Sequence, residues 1–289
     1  MYVIAGVTGN TGRVAAETLL ARGEKVRVVV RDPAKGQAFA DKGAEVAVAD
    51  LSDAAALTNA FRGAKGAYVL VPPNFVVTDF AAYQDGISDA IAQAVAAAKV
   101  PHVVLLSSVG ADVPAGTGPI AGLYRAEAKL SNIPGTVATF IRAGYFVENL
   151  GGSLGALAHG ILPTFFAADF PVTMIATQDI GELAATLLIE GASQTSAVQL
   201  GGTATGGTTY EDVADAIGRI TGKRPQVVVN PVSAMSDALQ GFGVPKTMAD
   251  LYQEMTTAML NGTITHQPGL RTIPMKTSVE TVLRGLLSA

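Results

Sequence analysis

Short apolar runs alternate along the first half of the chain with stretches whose apolar residues recur at helical spacing. Tyr2–Ala5, Val26–Val30, Glu45–Ala49, Ala67–Val71, His102–Leu106 and Val137–Ile141 read as strands. Thr11–Arg22, Pro33–Lys42, Asp53–Phe61, Asp79–Lys99 and Ala121–Ser131 read as the helices between them. Unbroken runs such as Val28-Val29-Val30 and Val103-Val104-Leu105-Leu106 suit strands covered on both faces. Repeated strand–helix units with right-handed crossovers predict an α/β, doubly wound parallel Rossmann sheet. Its ligand crevice is expected at the carboxyl ends of the strands. Local signals mark the boundaries: Asp32 before Pro33, Ser52 before Asp53, and Asp179 before the pattern Ile180–Ile189 read as helix caps, while Pro101 stops the alanine-rich helix.

After about residue 150 the alternation loses its regularity. Strands are expected at Val172–Ile175, Ala197–Leu200 and Gln226–Val229, and helices near Tyr210–Thr221, Thr247–Asn261 and Ser278–Leu287. Gly201-Gly202 and Gly206-Gly207 mark tight loops. The pattern predicts an NAD(P)-binding Rossmann domain over 1–150. A smaller C-terminal α+β substrate lobe over 151–289 is expected to interleave with the main sheet. The uncharged stretch Asn149–Ala168 has the length of a membrane span. Asn149, His159, Pro163 and its glycines make it a buried loop and helix instead.

Composition narrows the possibilities. With 49% hydrophobic and 15% charged residues, the 289-residue chain has ample core and no signature of disorder. A net charge of -4 without basic runs argues against a nucleic-acid partner. Cysteine is absent, which removes disulfides and thiol chemistry. His102, His159 and His266 lie far apart, so no metal site is expected. The start has no cationic segment, and its apolar run breaks at Gly6, unlike a signal peptide. The expectation is a cytoplasmic protein without membrane partner, monomeric or homodimeric, acting on a small molecule.

The first strand runs straight into Gly6-Val7-Thr8-Gly9-Asn10-Thr11-Gly12, and a helical pattern follows at once. This order delivers a pyrophosphate to a helix N-terminus, with Gly6 for the tight turn, Gly9 for close approach and Gly12 for helix–strand packing. Asp32 has a local role as a cap, whereas Arg31 stands at the tip of the second strand without one. Arg31, supported by Lys35 and Arg13, therefore predicts NADP(H) over NAD(H). Asp50 and Leu51 end the third strand, where Asp50 either meets the adenine amino group or holds a turn. Val71, Pro72 and Pro73 are placed to pass the cofactor ribose or nicotinamide. Ser107 and Ser108 end the fifth strand as catalytic hydroxyls or loop caps. The acceptor pocket is expected between Asn74 and Phe75, Ser108 and Val109, and the stretch Tyr145, Phe146 and Asn149. Tyr145 and Phe146 are candidates to stack on a flat acceptor, with a plug between lobes as the other reading for Phe146.

The glycine turn, Arg31-Asp32-Pro33, Ser107-Ser108 and Arg142-Ala143-Gly144-Tyr145-Phe146-Val147-Glu148-Asn149 together resemble the NmrA-like atypical short-chain dehydrogenases. That group includes NADPH-dependent quinone reductases and nicotinamide-nucleotide-sensing regulators, and the resemblance covers most of the chain. It implies hydride transfer from NADPH to a quinone, enone or other carbonyl-type acceptor. The alternative it leaves open is a catalytically silent redox sensor acting through a protein partner. Most short-chain dehydrogenases use a Tyr-x-x-x-Lys pair as proton donor and helper. Here Tyr124 is followed by Glu127 and then Lys129, which falls about 140° around the helix from Tyr124. Tyr124 and Ser107 remain the catalytic candidates, with water as another proton source, and Glu127 is expected to be a solvated or capping carboxylate.

Overall fold

The computed structural model describes residues 1–202 and 206–288. Its first half is built from β1 (Tyr2–Ile4), α1 (Asn10–Ala21), β2 (Val26–Val30), α2 (Gln37–Ala40), β3 (Glu45–Val48), α3 (Ala54–Phe61), β4 (Gly66–Leu70), α4 (Phe80–Ala98), β5 (His102–Ser108), α5 (Ile120–Ser131) and β6 (Val137–Ala143). Then come β7 (Tyr145–Phe146), α6 (Gly151–Leu154), β8 (Ile161–Thr164), β9 (Met174–Ile175), α7 (Thr177–Glu190), β10 (Ser196–Gly201), α8 (Tyr210–Thr221) and β11 (Gln226–Val229). The chain closes with α9 (Met235–Gly241), α10 (Lys246–Leu260), β12 (Thr272–Pro274) and α11 (Val279–Ser288).

Eight strands form one parallel sheet in the order β12-β10-β6-β5-β4-β1-β2-β3. The order reverses beside β1, so the crevice opens over the carboxyl ends of β1 and β4. One face packs Ile4, Val28 and Ile141 against Leu19 of α1 and Ile180 of α7. The other packs Val3, Val69 and Leu105 against Leu57 of α3, Ile91 of α4 and Leu130 of α5. The sheet is thus covered on both sides, as its unbroken apolar strands require. Gly181 lets α7 cross close over α1, since a Cβ there would stand 2.5 Å from the Val14 Cβ.

The later residues divide between two jobs. β10 and β12 extend the main sheet, while β8 with β11 and β7 with β9 form separate pairs. Leu150, Leu162, Phe166, Tyr210, Val213, Ile217 and Leu283 build a second core beneath this lobe. Among the described residues, no helix is long and apolar enough to cross a membrane.

Several boundary expectations need correction. The cap of α3 is Asp53, whose carboxylate accepts from the Ala55 and Ala56 amides at 3.0 and 2.9 Å, and not Ser52. Asp179 lies inside the first turn of α7, where it accepts from the amides of Lys276 and Thr277 and from the Thr277 hydroxyl at 2.9, 2.9 and 2.7 Å. It is a latch for the segment after β12. The expected helix Pro33–Lys42 is a 3-10 turn over Pro33–Gly36 followed by the short α2, with Gly36 pressed so closely on Val46 that a Cβ would lie 2.6 Å from it. Within Asn149–Ala168 a strand, β8, follows the helical turns, and Pro163 is tolerated because β8 pairs only with β11.

Candidate cofactor and acceptor site

The glycine turn is open where a ligand needs it and closed where the fold needs it. Gly6 sits at φ +68, and a Cβ there would meet the Leu70 Cδ2 at 2.4 Å. A Cβ on Gly12 would lie 2.5 Å from the Gly6 carbonyl oxygen and 2.7 Å from that of Ala5, so only glycine lets α1 start this close to β1. Gly9 is different, since its nearest obstacle is the Gly6 carbonyl oxygen at 3.4 Å. Gly9 is also the N-cap of α1, with no side-chain cap and no acidic residue in the first turn. The amides at this end and the positive end of the helix dipole are therefore available to an anion. Thr8 and Asn10 are exposed beside them, whereas Thr11 is buried and its Oγ1 accepts from the Tyr68 hydroxyl at 2.8 Å. Only the backbone of Thr11 faces the crevice.

At the β2 tip the two candidates separate as the sequence suggests. Asp32 accepts from the Ala34 amide at 2.9 Å as a cap. Arg31 is exposed and its side chain forms no hydrogen bond or ion pair among the described residues, and the same holds for the side chain of Lys35. Arg13 is paired with Glu17 at 3.2 Å. Asp50 accepts from the Ser52 hydroxyl at 2.6 Å and its amide at 2.9 Å, which hold its carboxyl below the usual carboxylate range. One of its oxygens is thus a turn acceptor, while Leu51 packs partly against the core. Val71 and Pro72 are half-buried as the chain leaves β4, and Pro72 and Pro73 offer no amide to prolong the ladder. An uncapped helix start, an open Gly9 and a free guanidinium at the neighbouring strand tip fit a phosphorylated dinucleotide.

At the β5–β6 end, Ser107 is 3% exposed, and its hydroxyl donates to the Glu127 Oε1 at 2.5 Å. Glu127 is itself buried, and accepts from Arg142 Nε at 3.0 Å and Nη2 at 2.7 Å. Arg142 also donates to the Gln267 Oε1 at 2.6 Å and approaches Asp112 at 3.5 Å. Burial works against the guanidinium charge, and the Glu127 hydrogen bond overcomes it, so Arg142 titrates above its ordinary value. This corrects the expectation that Glu127 is solvated or capping. It also commits the Ser107 proton inside the protein, leaving that oxygen as an acceptor. Ser108 donates to the Val109 carbonyl at 3.0 Å, and Val109 is buried.

Tyr124 is 37% exposed and has no hydrogen-bond partner among the described residues. It lies one turn before Glu127 on α5, toward the crevice end of that helix. Lys129 turns away to α4, pairing with Asp85 at 3.1 Å and Asp89 at 2.7 Å. The two do not act together. Asn74 accepts from the Val76 amide at 3.3 Å, and Phe75 stacks on Tyr252 of α10 with centroids 5.8 Å apart. Tyr145 meets Phe166 edge-on at 6.2 Å, and burial pushes its phenol well above the ordinary value. Phe146 packs against the sheet core, which is the plug reading, and Asn149 is exposed.

Residues 2–270 match the sequence pattern of the NmrA-like family. The chain belongs to that family. Quinone oxidoreductase 2 of Escherichia coli is 27% identical over 267 residues, covering 91% of this chain and 89% of the relative. An NAD(P)H azoreductase of Xenophilus azovorans is 26% identical over 259 residues, covering 88% and 86%. Among solved structures, the NADPH-dependent quinone oxidoreductase of E. coli superposes with a TM-score of 0.78 at 24% identity, covering 99% of this chain and 100% of that one.

In this NmrA-like chain the stretch from Arg142 to Asn149 has separable physical roles. Arg142 anchors Glu127. Gly144 admits the β9 strand, since a Cβ would stand 2.4 Å from the Thr173 carbonyl oxygen. Glu148 accepts from the Thr177 amide at 2.9 Å and its hydroxyl at 2.5 Å, capping α7 from outside the helix. Sequence reasoning missed Tyr252 and Gln267. Both reach the site from more than a hundred residues downstream of their partners, and no local pattern announces that return.

Proposed function

We propose that this chain is an NADPH-dependent oxidoreductase that reduces quinones and related conjugated carbonyl acceptors. The observation that carries the reading is Arg31, unpartnered among the described residues, beside the uncapped start of α1. Relatives described as a quinone oxidoreductase and an NAD(P)H azoreductase agree with it. The backbone of Gly6, Thr8, Gly9, Asn10, Thr11 and Gly12 holds the pyrophosphate, and Arg31 with Lys35 takes the 2′-phosphate. Leu51 and the free oxygen of Asp50 border the adenine, and Val71, Pro72 and Pro73 flank the ribose. When bound, NADPH supplies a hydride which, with one proton, converts a quinone to its hydroquinone and leaves NADP⁺.

The chain's own work is to place a flat acceptor and keep water from its ring face. Phe75 and Tyr145 line that space, while Asn74 holds the loop that carries Phe75. Ser107 can accept a hydrogen bond but does not give a proton, because its hydrogen is held by Glu127. The anion formed on a quinone is spread over the conjugated system, so a strong local acid is not required, and solvent completes the protonation.

The test is anaerobic NADPH oxidation across quinones, enones and aldehydes, with fluorescence titration of NADPH and NADH. Quinones are expected to oxidise NADPH, and Tyr124→Phe to lower kcat by less than about tenfold. Binding without oxidation across the panel overturns the reading in favour of a redox sensor.

A further inference from the structure

Helix α10 belongs to the C-terminal half, yet it meets the crevice loops at two places. Its Thr247 hydroxyl donates to the Thr78 carbonyl in the loop after β4 at 2.9 Å. Its Leu251 carbonyl abuts the loop after β5 so tightly that a Cβ on Gly118 would lie 2.1 Å from the oxygen. Directly after Leu251 α10 carries Tyr252, whose ring stacks on Phe75 at an interplanar angle of 22°. The Tyr252 phenol also lies near enough to Tyr145 to act on its titration. Phe75 is 45% exposed and its neighbour Val76 is 82% exposed, so an apolar rim faces outward beside the stack. Tyr252 itself is half-buried, so it supports Phe75 from behind, and the outward face of Phe75 has no folding role that requires its exposure.

We infer that Tyr252, together with Phe75, is a specificity-determining aromatic clamp that favours fused two-ring acceptors over single-ring ones. The inference rests on the proposed acceptor site. One ring of the acceptor occupies the space beside Tyr145, and a second fused ring extends onto the exposed face of Phe75, which Tyr252 backs from the other side. Stacking there adds contact that a single ring cannot reach. The Thr247–Thr78 hydrogen bond couples the two clamp residues, because it ties the Phe75 loop to the helix bearing Tyr252. The acceptor is therefore read by residues of both halves, with Tyr252 as the contribution of the C-terminal one, while the cofactor is held by the N-terminal half.

The test compares kcat/KM for menadione, with two fused rings, and for benzoquinone, with one. Tyr252→Leu is expected to lower the menadione-to-benzoquinone ratio about tenfold, and Tyr252→Phe to keep it within about twofold. Affinity for NADPH should be unchanged in both. An unchanged ratio in Tyr252→Leu overturns the clamp, as does an equal loss in Tyr252→Phe. Should Tyr252→Leu fail to fold, Phe75→Leu at the exposed partner carries the same ratio test. Should no acceptor be reduced at all, the proposed function fails but the clamp is still tested. The chain has no tryptophan, so Tyr252→Trp is a unique fluorophore. Saturable quenching of it by menadione, weakened when Phe75→Leu is added, supports the clamp. Quenching that only rises linearly with menadione overturns it.

Discussion

At the β1–α1 corner polar groups are left available: no side chain caps α1, and Arg31 has no partner among the described residues. At the β5–β6 corner the polar groups satisfy each other, with Ser107 on Glu127 and Glu127 on Arg142. Both corners lie on the crevice side of one sheet, yet the first is organised toward a ligand and the second toward the fold. The difference teaches that a reactive-looking hydroxyl at a strand end is not thereby a proton donor. What decides is where its hydrogen already points.

The comparison is most severely tested by Glu127→Ala, which strands the buried Arg142 charge. Loss of one partner of such a pair costs about 3–5 kcal/mol, so thermal or urea unfolding should show a large drop. A variant of near-parental stability would mean that this corner is not held by the ion pair. The glycines come next. Gly9→Val should leave the unfolding midpoint near that of the parent and weaken NADPH by more than about a hundredfold in titration. Gly12→Ala should lose about 1–3 kcal/mol of stability as well, because its Cβ meets two carbonyl oxygens. If both variants lose stability equally, Gly9 is as structural as Gly12 and the corner is less open than argued.

Arg31→Ala sharpens the open corner further. A charge-assisted contact to phosphate is about 1.5–3 kcal/mol, so NADPH should weaken about tenfold or more while NADH is spared. Equal losses in the two titrations would remove Arg31 from the phosphate site. The smallest effect lies at the opposite end of β5. Burial lowers the His102 pKa, its Nε2 lies 3.0 Å from the Thr139 hydroxyl, and its Nδ1 is buried without a partner among the described residues. The folded state keeps this ring neutral, so the unfolded chain binds the extra proton first. Stability is then full above the unfolded histidine value and declines as pH falls below it. His102→Gln should flatten that decline without changing NADPH affinity. A decline of the same steepness in the variant would assign it to other groups.

Legibility in the sequence follows the same division. The β1–α1 turn was readable because three glycines, a strand and the start of a helix lie within a dozen residues of one another. Asp32 and Arg31 could be told apart because Pro33 gives Asp32 a local task. Glu127 was misread, since its partners Ser107 and Arg142 sit on two other elements and nothing in the spacing of α5 reveals them. Asp179 was misread as a cap for a related reason, as its hydrogen bonds run to residues 276 and 277. Tyr252 gave no signal at all, because an aromatic on an amphipathic helix looks like any core residue. The strands β8 and β12 are short edge pieces whose apolar content is too slight for periodicity to register.

The order in which the chain leaves the ribosome gives one of these contacts a further meaning. Arg142 and its acceptor Gln267 are 125 positions apart, and β12 joins the sheet only after Gln267. During synthesis the strands from β1 to β6 and helix α5 emerge first, and Glu127 with Asp112 must hold the guanidinium while the lobe is still being made. The corner proposed for the nucleotide is therefore complete at an early stage of translation, whereas the proposed acceptor side acquires its last supports near the end. A nascent chain stalled before Gln267 should already bind NADPH and should not yet retain a quinone.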